Sequence, residues 1–163
     1  MAKLTRDLAC LSVTAIFLCA QKQPVIWNDQ EKPIVQQLRG LRQLPDDKRA
    51  VTTKELAIEI RRLPAGGTKL SLAGNLANLA TEGDIGHDAL QEVATTLAES
   101  LRESPAPEIQ GQPAAPYLEL ARLARYEHVQ ASLDDPQFAA AITRIEQDDQ
   151  VRQKADFVLT DLR

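Results

Sequence analysis

Cysteine is nearly absent from this 163-residue chain, and the two that occur, Cys10 and Cys19, both fall within the first twenty residues. No CxxC spacing joins them, so the pair does not read as a redox dithiol. Aromatic residues are 4% of the chain, which disfavours a sheet core built on rings; the apolar residues are chiefly Leu, Ala, Ile and Val, which favour helices packed on helices. Only two histidines are present, and no second His or Cys stands at metal-ligand spacing from either. Excess positive charge is lacking too. With residues 1–20 removed, Lys3, Arg6 and Asp7 go, and 19 basic and 23 acidic residues become 17 and 22, a balance that argues against nucleic acid as a partner. GxSxG, a phosphate-cradling glycine loop and a dinucleotide fingerprint are absent, and Gly66 and Gly67 after Pro64 mark a helix break without the lysine and hydroxyl of a P-loop.

What is present begins with Lys3 and Arg6 followed by an apolar run from Leu8 to Ala20, the order of a secretory signal. The run is short for a membrane span. Residues 1–20 are therefore expected to be a signal peptide, cut after Ala20, or a membrane anchor if uncut, and the protein to be extracytoplasmic, periplasmic or membrane-anchored. Cleavage would leave a mature chain without thiols.

Residues 21–30 read as a polar linker and 31–154 as a helical domain. Ile34, Leu38 and Leu41 mark a first helix ended by Pro45, and Thr52 with Glu55 has the spacing of a capping box before the stripe Leu56, Ile60, Leu63. Leu72, Leu76 and Leu79 carry a third helix. Leu90, Val93, Ala94, Leu97, Ala98 and Leu101 carry the clearest amphipathic one, with Asp88 and Gln91 as its expected cap. Pro105, Pro107, Pro113 and Pro116 predict an extended, mobile internal linker over 104–116. A fifth, central helix is expected from Tyr117 through Leu133, and a sixth from Asp135 and Pro136 with Phe138, Ile142 and Ile145 inward. The fold predicted is all-α: a compact array of about six helices packed as antiparallel hairpins, with an N-terminal signal helix and a short strand-like tail at 155–163.

The residues able to carry chemistry have simpler roles in this pattern. His87, between Gly86 and Asp88, fits an exposed or capping position, and His128, on an apolar face, fits a satisfied core or boundary histidine. Asp46 with Asp47 and Asp134 with Asp135 precede helices, where negative charge offsets the macrodipole; Asp148 with Asp149 fits a frayed, solvated end. Glu119 and Arg122 fit a surface pair. No catalytic, cofactor-binding or metal-binding residue is assigned.

The octet Ala155–Leu162, "ADFVLTDL", resembles the opening strand of redoxin, or TlpA-like, thiol-disulfide oxidoreductases, in which such a phrase leads to a Gly-Lys turn and then a WCxxC site. The upstream segments "LRGLRQLPDD", "TKELAIEIRRLPAG", "LANLATEGD" and "LQEVATTLAESLRE" are similar to the amino-terminal helical extension of some bacterial members. The resemblance implies a bacterial, extracytoplasmic setting and residues 155–163 as the start of a truncated redoxin-like domain. It transfers no catalytic residue, because the thiolate is the nucleophile of that chemistry. The expected function is a non-catalytic extracytoplasmic helical module, an interaction or accessory segment of a thiol-disulfide oxidoreductase whose partner is a protein or the redoxin domain. The alternative is a fragment of a thiol-disulfide oxidoreductase whose CxxC domain is missing. No cofactor is expected, and membrane contact only through residues 1–20.

Overall fold

The computed structural model describes the backbone of residues 27–161 and the side chains of residues 27–152. The expected leader with Cys10 and Cys19, the linker residues 21–26, and the last two residues lie outside it. Among the described residues the architecture is all-helical: α1 (Glu31–Gly40), a 3-10 turn (Leu41–Gln43), α2 (Asp46–Arg61), α3 (Gly67–Ala80), α4 (His87–Glu103), α5 (Ala115–Leu123) and α6 (Pro136–Asp161). No described helix is long and apolar enough to cross a membrane.

Residues 27–30, the described part of the expected linker, belong to the fold. Trp27 packs against the core, and Asn28 and Glu31 bond reciprocally: Asn28 Oδ1 accepts from the Glu31 amide at 2.9 Å, and Glu31 Oε2 from the Asn28 amide at 2.9 Å. This exchange satisfies amides otherwise orphaned at a helix start. Ile34, Leu38 and Leu41 then face inward.

α2 begins at Asp46, six residues before the predicted cap at Thr52. Pro45 is extended and has no amide to lose, and Asp46 and Asp47 place two carboxylates in the first turn, a stronger start signal than a mid-sequence threonine. Thr53 is consequently buried within the helix, and its hydroxyl has no hydrogen-bond partner. At the other end Lys69 of α3, 2% exposed, donates from Nζ to the Arg61 carbonyl at 2.8 Å and pairs with Glu103 at 2.8 Å. A cation thus closes the negative end of α2.

α4 is the central element, packed against α2, α3 and α5. Its predicted stripe from Leu90 to Leu101 is buried throughout, joined by Thr96, whose hydroxyl donates to the Ala57 carbonyl at 3.0 Å. Arg61 reaches across from α2 to Glu92 at 2.7 Å and Glu99 at 3.3 Å. The expected Asp88–Gln91 cap is replaced by a turn at Gly86, whose φ of +78° suits glycine.

α5 was expected to run to Leu133 and to be central; it stops at Leu123. Tight turns at Arg125 and Tyr126 end it, and His128 takes a left-handed φ of 69°. Beyond that the chain is extended, so Val129 turns inward and Ala131 and Leu133 pack half-buried, at alternate positions. The same apolar residues satisfy a period of two as well as a helical one, which is why the sequence pattern misled. This connection is tied to one stripe of α4. His87 Nε2 meets the His128 carbonyl at 3.1 Å, Gln91 exchanges bonds with the Gln130 amide (2.8 Å) and carbonyl (2.9 Å), and Arg102 donates to the Ser132 carbonyl.

The proline-rich stretch is pinned rather than loose. Ile109 and Gln112 exchange backbone bonds of 3.1 Å around Gln110 and Gly111, both at positive φ, a tight reversal. Gln137 donates to the Ala106 carbonyl at 2.7 Å and accepts from the Ala114 amide at 3.1 Å.

α6 starts as expected, with Asp135 Oδ1 accepting from the Gln137 amide at 2.8 Å. Its other oxygen accepts from the hydroxyl of fully buried Tyr117 at 2.9 Å. The strand predicted over 155–162 is overturned as far as Asp161: the backbone there continues α6. Among the described residues there is no sheet to receive a strand, and a helix satisfies its own amides and carbonyls locally.

Candidate functional site

His87 stands in the first turn of α4, half-exposed, as its position between Gly86 and Asp88 implied, with Nδ1 3.3 Å from Asp88. His128 is not a core histidine: its side chain is 78% exposed, because the left-handed residue 128 points away from the face that α5 would have continued. The structure brings the two together only through the bond from the His87 ring to the His128 carbonyl. Asp148 and Asp149 lie within α6 rather than at a frayed end, and Asp149 pairs with Arg125 at 2.5 Å.

Glu119 and Arg122 do pair, at 2.6 Å, yet not as a surface pair. The Glu119 side chain faces α3 and is 11% exposed; Asn78 approaches its Oε1 at 3.4 Å, and its Oε2 has no partner. Nearby, Tyr126 donates to the Thr81 carbonyl at 3.3 Å. Among the described residues no group of three or more His, Cys, Asp or Glu is arranged to hold a metal ion.

A cleft between α1 and α3 is about 470 Å³ in volume, within the range of small-molecule sites. Val35, Leu38, Leu72 and Leu79 supply its apolar surface and Trp27 a wall; Arg39, Arg42, Asn75 and Asn78 supply its polar groups. Arg42 is held by Glu82 through two bonds of 2.7 and 2.5 Å. That hydrogen bonding keeps the Glu82 carboxyl below the usual carboxylate range and raises the guanidinium pKa further. None of these cleft residues was singled out as functional from the sequence. The available signal was the paired spacing of Arg39 with Arg42 and of Asn75 with Asn78, each three apart on one helical face, but only the packing of α1 on α3 makes them one site. No family model, curated protein or solved structure matches the chain.

Proposed function

We propose that the chain is a non-catalytic, extracytoplasmic helical module that serves a bacterial thiol-disulfide oxidoreductase as its accessory or interaction segment. The observation that carries this reading is the geometry of α6. At 26 residues it is about 39 Å long, and among the side chains described, up to Arg152, its buried apolar contacts are Phe138, Ala141 and Ile145. From Glu146 to Arg152 every residue but Asp149 is exposed, including Val151 at 67%. A helix that stabilises its own array with its first turns and is exposed from Glu146 to Arg152 is suited to carrying or contacting a second body. The class of that body rests on the likeness in sequence alone of residues 155–162 to a redoxin opening phrase, in a backbone that is helical to Asp161.

The test is expression of the full chain in a bacterium with a photo-crosslinking residue at position 151. Fractionation and intact-mass analysis are expected to give an extracytoplasmic product beginning near Gln21, and the cross-linked partner a thioredoxin-fold protein with a CxxC motif. A full-length cytoplasmic product, or cross-links only to proteins without that motif, would overturn the reading.

A further inference from the structure

We draw no further inference here: the strongest candidate, the exposed surface of α6 from Glu146 to Arg152 with Val151 67% exposed, is the surface on which the proposed function already rests, and nothing among the described residues shows what else would cover it.

Discussion

Tyr117→Phe removes a single hydroxyl from a fully buried ring and leaves the ring volume in place, so it tests one bond rather than a cavity. The bond lost is the 2.9 Å contact with Asp135 Oδ2, which ties α5 to the start of α6. Asp135 keeps its cap on the Gln137 amide at 2.8 Å, so the helix start survives. A hydrogen bond to a charged acceptor contributes roughly 1.5–3 kcal/mol, and a loss of about 2 kcal/mol lowers the melting temperature of a chain this size by roughly 6–8 °C. The pH dependence gives a second, sharper signature. Burial first, and then the bond to the Asp135 carboxylate, push the phenol pKa up to about 12, above the value near 10 of an unfolded tyrosine. The unfolded chain gives up this proton first as pH rises. The stability Tyr117 contributes is therefore whole below about pH 10 and is lost as pH climbs towards about 12. Denaturant melts of parent and variant at neutral pH and across that alkaline window measure both effects; the difference between them should shrink as pH rises. An unchanged neutral-pH midpoint, together with an equally steep alkaline loss in Tyr117→Phe, would refute the reasoning.

Leu97→Asp should abolish cooperative melting by circular dichroism, because Leu97 is fully buried in the central helix and an unpaired carboxylate there costs several kcal/mol; an intact transition would show that α4 presents a different face. Gln91→Ala should leave the overall melting temperature within about 3 °C of the parent while speeding hydrogen exchange at the Gln130 amide by tenfold or more, since it removes both bonds to that residue's backbone; unchanged exchange at Gln130 would mean the connection is held by packing alone.

The helices whose signals are local were legible in the sequence. α4 is announced by a stripe that all points one way, and α6 by an aspartate and a proline whose capping roles depend on neighbours two residues off. Legibility failed where a distant element decides. Thr52 has a capping-box partner, but Pro45 with Asp46 and Asp47 starts the helix earlier. His128 sits in an apolar pattern, yet the pattern is met by an extended chain against α4, which no window around residue 128 contains. Glu119 appears as half of a surface pair until α3 is laid over it, and the cleft residues share a site only through tertiary packing. The tail at 155–161 failed for a related reason: strand propensity needs a neighbouring edge, and helix needs none.

The connection beyond α5 carries a consequence for which of its residues are free to change. His87, Gln91 and Arg102 grip residues 128, 130 and 132 by their backbone atoms, so the side chains at those three positions contribute nothing to the grip. Substitutions there should be neutral for folding, apart from a preference at 128 for residues that accept the left-handed backbone, whereas each gripping residue on α4 is constrained by its reach. Random mutagenesis of this chain should therefore record a tolerant, alternating pattern at 128, 130 and 132 along the connection and a narrower choice of residues at 87, 91 and 102 on the helix beneath it, an asymmetry in which the irregular segment accepts novelty and the regular one sets its limits.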